Sequence, residues 1–148
     1  MKSASALAIF VKTPELSPVK TRLAKTFGLA ATSEFYNLAL AATAAVAKEV
    51  QNQAEELTIY WAVAETAGLL SSRWKQFPVL PQGEGSLGDR LSCVYDQLHA
   101  QYESVGFIGA DSPHLLVSDL LEAIHLNRSR PIDSFLLGET QDGGFYFF

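Results

Sequence analysis

The sequence predicts an α/β fold of three layers, α/β/α, built on a mostly parallel sheet. Three observations carry this. Strand-like and helix-like patterns alternate from end to end, which implies parallel strands joined by crossover helices on both faces. The runs Ala6 to Val11, Leu57 to Val63 and Val105 to Ala110 are almost wholly apolar, as strands buried on both faces are. The chain of 148 residues is 48% hydrophobic and 18% charged, enough for one core and too little charge for a disordered chain. Residues 1–148 therefore read as a single domain, with no internal repeat or linker.

The elements follow in order. Ala6 to Val11 is the first strand, closed by Lys12-Thr13-Pro14. Pro14 to Pro18 is a loop between prolines. Pro18 suits the first position of a short helix, where its missing N–H costs nothing; this helix carries Val19 to Phe27 and stops at Gly28. A long alanine-rich helix follows, capped by Thr32 or Ser33. It has Phe35, Leu38, Ala42, Ala45 and Val46 on one face. Gln51 to Glu56 reads as a surface turn.

Leu57 to Val63 is the second strand, rich in β-formers. Ala67 to Phe77 reads as a weak helix of about three turns. Pro78 to Leu80 is a short third strand, and Pro81 to Ser86 a glycine-rich loop. Leu87, Leu91, Val94, Leu98 and Tyr102 mark a helix face. Ser104 to Ala110 is the fourth strand; it ends at Asp111, and Pro113 forces a turn. Ser118 caps a helix with Leu120, Leu121, Ile124 and His125. Asp133 to Gly138 reads as a further strand, and Gly143 to Phe148 opens a last one.

The bulk numbers exclude several classes. A formal net charge of -5 argues against a nucleic-acid partner. The single cysteine, Cys93, cannot form an internal disulfide, which fits a reducing, cytoplasmic setting. No apolar run is long enough to span a bilayer. The early apolar run is only about five residues, short of a signal-peptide core, and reads as a first strand.

Three constellations could carry chemistry. Lys12, Lys20, Arg22 and Lys25 crowd the window after the first strand, where doubly wound folds place nucleotide phosphates. A helix starting near Pro18 would add free N–H groups and a positive dipole end. The same window also reads as a solvated basic face. The Lys-Thr pair is not a Walker A loop, because the glycines before it are absent. In the second, Gln82 to Arg90, Gly83, Gly85 and Gly88 would let backbone approach a ligand, and Gln82 could read a base edge. A turn plus a helix start, with Asp89 favouring the dipole, is the plainer reading.

The third is Asp111 with Asp142, each after a strand-like run and beside turn formers. Two carboxylates at one sheet edge can hold Mg²⁺ or Mn²⁺ and bridge it to diphosphate. Each also reads as a turn residue, Asp142 before Gly143 as a hairpin. His99, His114 and His125 show no metal spacing, and His114 alone stands near Asp111. Cys93 reads as a packing residue.

The segments FVKTPELSPVKTRLA, QGEGSLGDRL, GFIGADSPHL and GETQDGGFYFF, in this order, resemble a bacterial family of glycosyltransferase-A-like proteins, domain of unknown function 2064. That family is similar to the guanylyltransferases of molybdenum cofactor and of phospholactate. The resemblance implies a nucleotide-diphospho-sugar transferase (GT-A) fold, C-terminally shortened, since relatives continue past the DGG strand. It implies nucleotide binding by Lys12, Thr13, Lys20 and Arg22, with Gly88, Asp89 and Arg90 near the base. It implies that Asp111 binds the metal and that Asp142 closes the acceptor side; together with the paired-carboxylate reading this makes Asp111 and Asp142 the expected catalytic and metal-binding residues. Leu16-Ser17 departs from the glycine that relatives carry between the first-loop prolines.

The expected activity is transfer of a sugar from a nucleotide-sugar to a small-molecule acceptor, assisted by Mg²⁺ or Mn²⁺. The rival is nucleotidyl transfer from a nucleoside triphosphate, releasing pyrophosphate. Both rest on positioning and charge neutralisation. A nucleotide-binding module without activity is the non-enzyme alternative. Pairing of the Phe145 to Phe148 strand with another copy would make a homodimer.

Overall fold

The computed structural model describes residues 3–141 and 145–148. A parallel sheet holds β1 (Ser3–Val11), β2 (Leu57–Val63), β3 (Val79–Pro81) and β4 (Tyr102–Gly109) in the order β3-β2-β1-β4. Four helices are described: α1 (Thr21–Phe27), α2 (Leu29–Gln53), α3 (Leu87–His99) and α4 (Val117–Ser129).

The pleat of β1 divides the core. Leu7, Ile9 and Val11 pack with Tyr36, Leu40 and Val50 of α2 and with Leu120 and Ile124 of α4. Ala6 and Ala8 turn the other way, onto Val94 and Leu98 of α3 and onto Phe107. Two helices thus cover one face of the sheet and one covers the other, the predicted three layers. None of the helices described is long and apolar enough to cross a membrane.

At the chain's end β5 (Gly138–Glu139) and β6 (Phe145–Phe147) form an antiparallel pair. Phe148 joins β4 on its free side: its N–H donates to the Phe107 carbonyl at 3.1 Å, and the Phe107 N–H donates back at 2.7 Å. Phe147 is fully buried against Gly106. A Cβ built on Gly106 would lie 2.7 Å from the Phe147 ring, so β4 has glycine where the last strand crosses it.

Several expectations shift. Helix α1 begins at Thr21, not near Pro18, because Lys20 takes a left-handed conformation (φ 51°, ψ 47°). Helix α2 begins at Leu29, ahead of Thr32 and Ser33, and runs on through Gln53. Its buried face is Tyr36, Ala39, Leu40, Thr43, Ala44, Ala47 and Val50; Phe35 and Leu38, expected inside, are exposed. The segment expected as a helix from Ala67 to Phe77 is two 3-10 turns, Thr66–Gly68 and Ser72–Trp74. Tyr102 belongs to β4 rather than to the α3 face.

Helix α4 starts after Leu116 with no side-chain cap, so Ser118 lies within its first turn. Asp133 to Gly138 is not a strand except at Gly138. The Ser134 N–H donates to the Pro131 carbonyl at 3.1 Å, and Arg130 donates to the Ser134 carbonyl, so a turn occupies this stretch.

Candidate functional site

The sheet order places the site. From β1 the chain steps outward to β2 and β3, then crosses back to β4 on the other side of β1. The carboxyl ends of β1 and β4 therefore flank a switch point, where open α/β sheets bind ligands. A cleft of about 750 Å³ opens there. Its walls are Phe10 to Lys12 at the end of β1, Ser17 to Lys20 in the following loop, Ala64 and Glu65 after β2, and Gly109 to Asp111 at the end of β4. Tyr36, Gln82, Leu87 and Arg90 complete it.

Lys12, Lys20 and Arg90 face this cleft with Glu65 and Asp111. Three cations against two acids give it a positive balance inside an acidic protein. Lys20 Nζ lies 3.4 Å from Asp111 Oδ2 and 5.8 Å from the centre of the Phe35 ring. The structure thus brings Lys20 and Asp111, two of the residues singled out in the sequence, into contact.

The loop after β1 is held by specific bonds. The Lys12 N–H donates to the Tyr36 hydroxyl at 3.0 Å, and that hydroxyl donates to the Lys12 carbonyl at 2.7 Å. Burial pushes the Tyr36 hydroxyl's pKa above its ordinary value, keeping it a neutral donor. The Thr13 N–H donates to Glu65 Oε2 at 2.8 Å, and a turn closes with the Leu16 and Ser17 N–H groups on the Thr13 carbonyl. Arg73 ties the loop from outside through Glu15 and Asn37.

Burial pushes the Glu65 pKa up, but the Ser17 hydroxyl and the Thr13 N–H and hydroxyl outweigh it and hold the carboxyl below its usual range. Of these, the Thr13 N–H makes the well-formed bond. The two hydroxyls act as nearby dipoles, since Glu65 Oε1 and Thr13 Oγ1 lack partners of full hydrogen-bond geometry.

Arg90 is held without neutralisation. Its Nε donates to the Gly85 carbonyl at 3.1 Å, and its Nη1 reaches the Ala64 carbonyl at 3.4 Å and Gln82 Oε1 at 3.3 Å. Among the described residues it has no carboxylate partner, so its charge remains available to an anion. Gln82 fixes this geometry. Its buried Nε2 donates to the carbonyls of Ala62 at 2.8 Å and Val11 at 3.2 Å, pinning the ends of β2 and β1 together.

Other expected residues stand elsewhere. Gln82 spends its amide on the protein, and is not free to read a base with it. Thr13 is buried behind the loop and does not line the cleft. Arg22 is exposed on the first turn of α1 and does not line the cleft that Lys20 and Asp111 share. Lys25 is exposed at the far end of α1, and this seven-residue helix supplies no anion site of its own.

Asp89 and Ser86 cap α3 reciprocally: the Asp89 N–H donates to Ser86 Oγ at 3.2 Å, and the Ser86 N–H to Asp89 Oδ2 at 2.8 Å. The Ser86 hydroxyl, donating to Asp89 Oδ2 at 2.8 Å, and then the Ser86 N–H hold the Asp89 carboxyl below its ordinary pKa. Gly85 has a left-handed φ of 100°, and a Cβ built there would collide with the Asp89 carboxylate; Gly88 is in the first turn of α3. Asp142 lies outside the described residues. Sequence reasoning missed Glu65, whose signal was a lone acid just beyond the second strand, and Tyr36, hidden in the alanine-rich helix.

Three comparisons bear on this geometry. The model of a family described as "Uncharacterized protein conserved in bacteria (DUF2064)" matches residues 28–148. A crystal structure from Desulfovibrio desulfuricans G20, provisionally named a nucleotide-diphospho-sugar transferase, is similar with a TM-score of 0.79 at 21% identity. The likeness covers 98% of this chain and 62% of that one, so the chain spans under two thirds of its neighbour's length. At that identity the likeness shows the fold. No curated protein matches the chain.

Proposed function

The chain belongs to the DUF2064 family of bacterial proteins, and we propose that it is a transferase that moves a sugar from a nucleotide-sugar to a small-molecule acceptor. The observation that carries this reading is the Lys20–Asp111 pair at 3.4 Å, set at the switch point of the sheet with Lys12 and Arg90 beside it. A diphosphate needs cations to hold it, and a nucleotide-sugar reaction builds charge on the leaving diphosphate. Lys12, Lys20 and Arg90 are disposed to do both, with Arg90 able to grip an oxyanion through its free guanidinium edge.

A divalent cation fits this arrangement in a limited way. Among the described residues no group of three metal-ligating side chains exists. Mg²⁺, however, is commonly held by one or two carboxylates together with substrate phosphates and water. Asp111, with an exposed carboxylate, would supply one, and Asp142 is the second candidate. The ion would add charge neutralisation at the diphosphate. Lys20 would then turn from Asp111 to a phosphate oxygen.

The reaction forms a bond from the acceptor oxygen to the anomeric carbon. It breaks the bond from that carbon to the diphosphate, whose oxygen keeps the electron pair, and the acceptor's hydroxyl proton leaves with the departing diphosphate. The test is product analysis with a panel of nucleotide-sugars. Release of a nucleoside diphosphate is expected; release of pyrophosphate from a nucleoside triphosphate would replace this reading with nucleotidyl transfer. Nucleotide binding with no turnover in any full-length form would reduce the protein to a binding module.

A further inference from the structure

We propose that a second, apolar pocket beyond Asp111 is the acceptor subsite, and that it takes a neutral hydroxyl compound bearing one apolar ring or a short alkyl end. This rests on the nucleotide-sugar reading. The pocket is small, about 170 Å³, and shares Asp111 with the phosphate cleft. Phe10, Leu91 and Phe107 line it from the sheet and α3, and Phe145 and Tyr146 of β6 close it. Phe10 and Phe107 meet edge to face at 5.8 Å, so two of these walls are rigidly packed.

Size and charge select the occupant. An apolar cavity of about 150 Å³ accepts a benzene ring, so this pocket suits one ring and little more. Lys12, Lys20 and Arg90 all line the phosphate cleft, and among the described residues no cation lines the apolar pocket. Among the described residues its one charged wall residue is the acid Asp111. An acceptor phosphate would lose water against aromatic walls and gain no counter-charge there, whereas a hydroxyl is far cheaper to desolvate. Because Asp111 belongs to both cavities, a hydroxyl on the ring's inner end would meet the diphosphate side at that residue. The pocket therefore favours sugar transfer over an acceptor-phosphate reaction.

The test is saturation-transfer NMR on the whole chain, using benzyl alcohol and benzyl phosphate with and without Mn²⁺. Leu91→Trp fills the pocket and Phe145→Ser opens it. Benzyl alcohol should bind the native protein, and its signal should fall at least fivefold in Leu91→Trp, while the melting shift caused by a nucleoside diphosphate is retained. Should Leu91→Trp fail to fold, Phe145→Ser, at a half-exposed site, carries the same comparison. No benzyl alcohol signal in the native protein overturns the proposal. So does a signal unchanged in the folded variants, benzyl phosphate binding as well as the alcohol, or displacement of the alcohol by a nucleoside, which would make this the base pocket. Failure of the nucleotide reading is distinct: no nucleotide would shift the melting of the native protein.

Discussion

Lys20 reaches across the cleft to Asp111, Nζ to Oδ2 at 3.4 Å, from a backbone that holds Lys20 left-handed at φ 51°. A left-handed non-glycine residue costs about 1–3 kcal/mol. A part-exposed ion pair returns about 0–1 kcal/mol. A cation over an exposed ring, here Phe35 at 5.8 Å, returns about 0.5–1 kcal/mol. The strain and its compensation are of similar size, so Lys20 is held beside Asp111 with little net gain in stability. Strain of this kind is characteristic of binding sites.

Comparison of two substitutions separates strain from function. Lys20→Met keeps the strained backbone and loses the charge; Lys20→Gly loses both. Lys20→Gly should be more stable than Lys20→Met by about 1 kcal/mol in chemical denaturation. Both should bind a nucleoside diphosphate about tenfold more weakly than the native protein, about 1.4 kcal/mol. Equal stabilities would remove the strain from the account, and native affinity in either would remove Lys20 from the phosphate site.

Gln82 is argued to hold Arg90 in place. Gln82→Leu fills similar space but leaves the Val11 and Ala62 carbonyls without its amide and frees Arg90. Urea denaturation should show a loss of about 2 kcal/mol. Isothermal titration should show weaker nucleotide binding in the folded variant, in step with loss of Arg90 order. Unchanged binding would mean that Arg90 needs no such support.

Gly106 tests the closing of the sheet by the last strand. Gly106→Ala drives a methyl to 2.7 Å from the Phe147 ring. Overpacking of this kind costs about 1–3 kcal/mol, read as a lower denaturation midpoint. No loss would show that Phe147 does not press on β4 in solution.

Glu65 should make stability depend on acid. Its folded pKa is held below the ordinary value of 4.5, so its contribution is present above about pH 4.5 and is lost as pH falls through the lowered folded value. Glu65→Gln removes this term. The gap in melting temperature between native protein and Glu65→Gln should be largest at neutral pH and should narrow below pH 4.5. A gap that widens in acid would reverse the sign of the argument.

The sheet was legible because β1, β2 and β4 are buried on both faces and so read as unbroken apolar runs, Leu57 to Val63 to the residue. The face of α2 was not. An alanine-rich helix offers little contrast around its circumference, and its buried threonines disguise the pattern. Thr32 and Thr43 donate their hydroxyls to the carbonyls of Gly28 and Ala39, at 2.7 and 2.8 Å, and so can be buried. Asp133 to Gly138 carried strand-forming residues, but Arg130 claims the carbonyl of Ser134 and holds a turn there.

Lys12, Lys20 and Asp111 line the cleft that the sequence points to, at or beyond strand ends, where chemistry collects; Arg90, expected beside the base, lines the same cleft. The roles of Gln82, Thr13 and Asp89 were not legible. Each can bind a ligand or its own backbone, and only the fold decides which bonds form.

The most direct measurement is a thermal-shift titration of native protein and Asp111→Asn with nucleoside diphosphates and nucleotide-sugars, each with and without Mn²⁺. A ligand that binds the native state raises the melting temperature, and more so the tighter it binds. The native protein should show a shift that grows when Mn²⁺ is added, and Asp111→Asn should keep at most the metal-independent part. An equal Mn²⁺-dependent shift in both proteins would contradict the assignment of Asp111 and the reading built on it.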